Sequence, residues 1–150
     1  MAVSLTREDL IVHEPLELGV GDWMVITQER IDEFAHATGD LQWIHVDPVR
    51  AAAGPFGSTV AHGYLSLALV PMLLRELLTI VDQSSGINYG LDAVRFLAPV
   101  TVGSAVRLEA AIVGGERRPD GGVRYQVRAR LEIQGSDRPA LVGDVVAVSY

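Results

Sequence analysis

An aspartate, an amide, an indole and an imidazole crowd into one short stretch of the chain. They are Asp40, Gln42, Trp43 and His45 of "GDLQWIHVDP" (39–48), with Asp47 following. A carboxylate and an imidazole on one loop can converge on a single water and do acid and base work on it together. A second stretch, "VAHGYLSLAL" (60–69), places His62-Gly63 near the start of a strongly apolar run. Backbone N–H groups at a helix N-terminus are unpaired, so they can hold a developing oxyanion. Glycine there lets a carbonyl approach the backbone closely. Each residue also has a purely structural role open to it. Asp40 follows Gly39 as a turn residue would, Asp47 before Pro48 suits a helix cap, His45 suits a half-buried site, and His62 could tie down a loop. His13 and His36 have no supporting neighbours.

Other chemistries find little support. Asp40 and His45 lack a third ligand in view, and no HxxxH or HExxH spacing occurs, so no metal site is expected. "GVGDW" (19–23) precedes a strand instead of joining strand to helix, so it is no phosphate cradle. Neither Ser58 nor Ser66 lies in a GxSxG elbow. With no cysteine there is neither a disulfide framework nor a thiol nucleophile, and the cytoplasm is the expected compartment. A net charge of −7 argues against nucleic acid, whose phosphates require a basic face. All 12 basic residues are arginine, the better residue for bidentate phosphate contacts. The first residues carry acids and no apolar h-region, unlike a signal peptide. The longest apolar run, Tyr64 to Leu74, is too short to span a bilayer.

The elements that must position these groups can be read from periodicity. "WMVIT" (23–27) suggests a short strand. "TQERIDEFAHATG" (27–39) suggests a helix with Thr27 as N-cap, the stripe Ile31, Phe34, Ala35 and Thr38, and Gly39 as the stop. Residues 40–58 read as irregular, with a helical turn at "DPVRAAA" capped by Asp47. "AHGYLSLALVPMLLRELLTIV" (61–81) reads as one long helix, apolar all round and therefore buried on all sides, with Pro71 bending it. "VRYQVRARLEI" (123–133) alternates cleanly, and "AVRLEAAIV" (105–113) does so similarly. A hairpin loop at 116–122 turns on Asp120-Gly121 between them. Residues 87–100 and 140–150 supply two more strands. No repeat or linker interrupts the chain, so residues 1–150 are expected to form one α+β domain. About five antiparallel strands would wrap around the apolar helix and leave a sheet edge or face for a partner.

"FAHATGDLQWIHVDPVRAA", "TVAHGYLSLAL" and "AVRFLAPVTVGSAVRL" together resemble the MaoC-like, or (R)-specific enoyl-CoA hydratase, family, in family order over residues 15–150. The resemblance implies the hot-dog fold, usually as a homodimer with continuous sheets and the active site at the interface. It implies that Asp40 and His45 are the catalytic pair. Gly63 would be the glycine whose N–H polarises a thioester carbonyl, supplied from the other subunit. Gln42, Trp43 and His62 join Gly63 as substrate-binding residues. Gln42 and Trp43 stand where the family commonly has Asn-Pro: the amide could orient His45 or the water, and the indole could shape the acyl tunnel. Pro71 aligns with a serine that supports the aspartate in some members, a position Ser66 does not fill.

The function these residues imply is reversible hydration of a trans-2-enoyl-CoA to an (R)-3-hydroxyacyl-CoA. No cofactor is needed, since coenzyme A is part of the substrate. Its phosphates would fall to arginines, with Arg50, Arg95, Arg117 and Arg118 all open. Two rival readings are a hot-dog acyl-CoA thioesterase and a non-catalytic acyl-binding or scaffold subunit. A thioesterase rarely pairs Asp with His five residues on, and a scaffold needs neither.

Overall fold

A computed structural model describes residues 2–150. Eight strands form: β1 (Val3–Leu5), β2 (Leu16–Val20), β3 (Met24–Val25), β4 (Leu78–Ile80), β5 (Gly86–Phe96), β6 (Ala105–Arg117), β7 (Val123–Ile133) and β8 (Leu141–Ser149). Four α-helical segments accompany them: α1 (Gln28–Thr38), α2 (Trp43–Val46), α3 (Pro48–Ala52) and α4 (Gly63–Leu74). The main sheet is antiparallel in the order β2-β6-β7-β8-β5, with β3 also pairing β6. It curves around α4, which packs on β6, β7 and β8. This is the hot-dog architecture, with six strands in the sheet where about five were expected.

β7 shows the sequence acting directly. Val123, Tyr125, Val127, Ala129, Leu131 and Ile133 are all buried, while the arginines between them stay at least partly exposed. Alternate residues of a strand face opposite ways, so the apolar set meets α4 and the arginines face water. The charges on that outer face pair across strands, as in Arg107–Glu132 at 2.7 Å. The β6–β7 hairpin closes at Gly121, whose φ of +87° favours a residue without a Cβ. Asp120 caps this turn. Its carboxyl is held below the usual aspartate range, first by the Gly122 N–H and then by Tyr150 and Arg118.

Two expectations about α4 fail. The helix ends at Leu74 instead of continuing through Val81. The N–H groups of Arg75, Glu76 and Leu77 turn back to the carbonyls of Met72, Leu73 and Leu74, a tightened final turn. Leu78–Ile80 then pairs in parallel with β1 as a strand, a partnership between distant segments that local periodicity cannot reveal. Nor is α4 buried all round. Leu65, Ser66, Leu69, Val70 and Leu73 face the sheet, but Tyr64 is 71% exposed and Met72 40%. Tyr64 meets Phe96 of β5 at a centroid distance of 5.9 Å, and Leu67, Ala68 and Pro71 line a cleft with Leu91 of β5. "WMVIT" contributes only the two residues of β3. Among the described residues no helix is long and apolar enough to cross a membrane.

Candidate active site

α1 begins as expected. Thr27 Oγ1 accepts the Arg30 N–H at 3.2 Å, and the helix ends at Gly39 with a left-handed φ of 77°. That conformation is inexpensive only for glycine, and it turns the chain so that Asp40 leaves the helix. Asp40 is exposed and loosely held: its N–H reaches Thr38 Oγ1 at 3.4 Å, and its Oδ1 accepts the Gln42 N–H at 3.5 Å. The stretch that read as irregular contains the single turn α2, which carries Trp43 and His45, followed by α3 with its expected Asp47 cap on Arg50.

His45 is 7% exposed and tightly specified. Its Nδ1 lies 2.6 Å from the Val60 carbonyl oxygen. A carbonyl can only accept, so Nδ1 carries the proton and the neutral ring presents Nε2 as an acceptor. The backbone is fixed on both sides. Val60 N–H donates to the Ile44 carbonyl at 3.0 Å, and Gln28 Nε2 donates to the His45 carbonyl at 2.8 Å. The same amide group reaches Asp32 Oδ1, and Gln28 Oε1 accepts the buried Thr59 hydroxyl. Gln28 and Thr59 were not singled out in the sequence. They sit in an ordinary first helical turn and an ordinary Ser-Thr-Val run, and no spacing rule links residues 31 apart.

His62 meets the same cluster from the other side. It is 2% exposed, its ring stacks on His45 with centroids 3.7 Å apart, and its Nε2 donates to the Asp40 carbonyl at 3.0 Å. Ligating atoms of Asp40, His45 and His62 all lie within 4.8 Å of one another, so His62, singled out with Gly63, proves to be the third member of the Asp40–His45 cluster. The lone pairs of an imidazole lie in its ring plane. Two stacked rings inclined by only 23° therefore aim them side by side, poorly suited to meeting at one metal about 2 Å away. The cluster suits water better than a metal ion.

α4 starts at Gly63, directly after His62. The helix N-terminus thus follows directly on the residue that touches both His45 and the Asp40 backbone. A Cβ on Gly63 would sit 3.2 Å from the Phe96 ring, so this position has little room for a side chain. A cleft of about 240 Å³ opens there, lined by Phe56, Gly63, Ser66, Phe96 and Ala98 among others.

Trp43, Ser66, Pro71, Gln42 and His62 each take a defined place in the fold. Trp43 does not line that cleft; its ring packs 3.0 Å from where a Gly54 Cβ would lie, under the Arg50 guanidinium at 4.3 Å. Ser66, buried one turn along α4, faces the Gly63 cleft, whereas Pro71 faces β5. Gln42 caps α2 through its backbone, and its exposed amide makes no hydrogen bond among the described residues. His62 is buried, with its ring against His45 and its Nε2 on the Asp40 carbonyl.

Comparison with known proteins agrees with this geometry. Residues 17–132 match the model of the MaoC like domain. The chain is 49% identical over 138 residues to 3-hydroxyacyl-thioester dehydratase Z of Mycobacterium tuberculosis, covering 92% of this chain and 91% of that protein. It is 41% identical to nodulation protein N of Rhizobium leguminosarum, over 88% of this chain and 83% of that one. In structure it is similar to the unliganded R-hydratase PhaJ1 of Pseudomonas aeruginosa, with a TM-score of 0.74 at 24% identity over 97% of this chain and 85% of that one. The domain match and the identity to the mycobacterial protein together establish that this chain belongs to the MaoC-like dehydratase family.

Proposed function

We propose that this dehydratase catalyses the reversible hydration of trans-2-enoyl-CoA thioesters to (R)-3-hydroxyacyl-CoA, with Asp40 and His45 as the catalytic pair. The observation that carries the reading is the convergence of the Asp40 carboxylate and His45 within 4.8 Å, beside the N-terminus of α4. His45 Nε2 and the ionised Asp40 are both acceptors, so each binds one hydrogen of the same water. The water oxygen adds at C3 of the enoyl group. The group that takes the water's proton then delivers it to C2, so that one water is added across the double bond. Charge that develops on the thioester oxygen is received by the Gly63 N–H and the positive end of the α4 dipole. Dehydration is the reverse.

The reaction uses no cofactor beyond the substrate's own coenzyme A. The (R) configuration draws support from the R-hydratase name of the structural relative. The thioester class draws support from the name of the mycobacterial relative. We read residues 1–150 as one domain working in the cytoplasm as a homodimer. β5 is the terminal strand of the sheet, and Leu67, Ala68 and Pro71 of α4 with Leu91 of β5 line an apolar cleft beside it, near the exposed Tyr64. A second copy would extend the sheet and cover that cleft.

The test is incubation with a short 2-enoyl-CoA, following loss of the conjugated thioester absorbance and resolving the product's chirality. Wild type should yield the (R)-3-hydroxyacyl-CoA, and Asp40→Asn and His45→Gln should not. Release of free coenzyme A without hydration would instead mark a thioesterase, and binding without turnover a scaffold.

A further inference from the structure

We propose that His62 is a positioning residue for this reaction, holding Asp40 by its backbone and His45 by its ring, at a cost to the stability of the fold. The inference rests on the hydration reading above and adds to it a residue that touches no substrate. The Asp40 segment has few other holds. Its contacts to Thr38 and Gln42 are at 3.4 and 3.5 Å, so the 3.0 Å bond from His62 Nε2 is the shortest one fixing it. The ring meanwhile lies between Phe34, at a centroid distance of 5.0 Å, and His45, at 3.7 Å. Stacking stops His45 from turning about its ring axis, and the Val60 carbonyl fixes which edge faces inward. Together these set the direction of His45 Nε2 relative to the Asp40 carboxylate.

The stability cost is visible at the other ring nitrogen. His62 Nδ1 is buried and has no hydrogen-bond partner among the described residues. A buried acceptor without a donor destabilises a fold, and a phenyl ring of similar shape would remove that burden. His62 therefore gives the fold little that phenylalanine could not give, whereas its two specific contacts are to the proposed catalytic pair. Residues that act this way trade stability for activity.

Two variants separate the contributions. His62→Phe keeps a ring against His45 and loses the donor to Asp40. His62→Gln can keep a donor and loses the stack. Both are compared with wild type for thermal midpoint, for kcat and KM with but-2-enoyl-CoA, and for the His45 ring resonances by NMR. His62→Phe should melt no lower than wild type while kcat falls about 10- to 100-fold, the cost of displacing a reacting group by about an ångström. KM should stay within about twofold, because ground-state binding is not touched. His62→Gln should recover part of the kcat but show a mobile His45 ring. An unchanged kcat in both variants overturns the proposal. So does a rise in KM at constant kcat, which would make His62 a substrate contact, or a loss of kcat matched by a lowered thermal midpoint, which would make it merely structural. If wild type hydrates nothing, the hydration reading fails on its own. The NMR comparison still decides whether His62 holds His45, and a His45 ring equally ordered in all three proteins overturns that role.

Discussion

The N-terminal end of α4 and its outer side follow opposite plans. At the N-terminal end, polar groups are partnered within the chain: His45 on Val60 and Gln28, Gln28 on Thr59, and His62 on Asp40. On the outer side, Tyr64 of α4 and Leu91 of β5 are exposed, and Leu67, Ala68 and Pro71 of α4 line an apolar cleft beside β5. The difference separates two tasks. The groups proposed to do chemistry are held by contacts within one copy of the chain, whereas the apolar side of α4 beside β5 is left uncovered. Activity and assembly should therefore respond to different substitutions.

The largest effect should come from the first plan. His45→Gln removes the Nε2 acceptor with little change in bulk, and hydration should fall by about 100- to 10,000-fold, the range of general acid–base catalysis. The thermal midpoint and the assembled mass should barely move. Comparable activity loss with dissociation would erase the distinction between the two regions. The reverse substitution is Leu91→Asp on β5, which places a charge on the uncovered face. By sedimentation or scattering the mass should drop to that of one copy, with the fold's circular dichroism retained. A protein still assembled would mean that a different face is used.

Smaller effects should sharpen the inner plan. Gln28→Ala leaves the His45 carbonyl and the Thr59 hydroxyl without this partner. A loss of about 1–3 kcal/mol of stability in denaturant titration should follow, with a reduced kcat at unchanged KM. The smallest effect should be at the β6–β7 turn, outside the cluster of Asp40, His45 and His62. The folded carboxyl of Asp120 is held below the ordinary aspartate value of 3.8, so its contribution to stability is fully present above that value. The contribution is lost as pH falls from there through the lower folded value. Asp120→Asn should flatten the acid limb of the thermal midpoint slightly and leave hydration unaffected.

How far the sequence reveals this molecule depends on the range of the interaction concerned. β7 is spelled out by strict alternation and α1 by its Thr27 cap and Gly39 stop, both local signals. The end of α4 is misread because Leu77 to Val81 is apolar in a helix or a strand alike, and only pairing with Val3–Leu5 selects the strand. α2 is a single turn of four residues, held by tertiary bonds to Val60 and Gln28 and not by any propensity of its own. Asp40, His45 and Gly63 stand out by type and spacing. Gln28, Thr59, Ser66 and Phe96 do not, because common residues become part of a site only through what the fold brings against them. Trp43 shows the converse: a conspicuous residue at a conspicuous position that packs on Gly54 and Arg50 and stays off the cleft.

The central claim is that water held by Asp40 and His45 adds to C3 of an intact thioester. The most direct test supplies but-2-enoyl-CoA in water enriched in heavy oxygen and locates the label by mass spectrometry. Label should appear in the C3 hydroxyl of 3-hydroxybutyryl-CoA and be absent with His45→Gln. Label in a free carboxylate, with coenzyme A released, would contradict that claim.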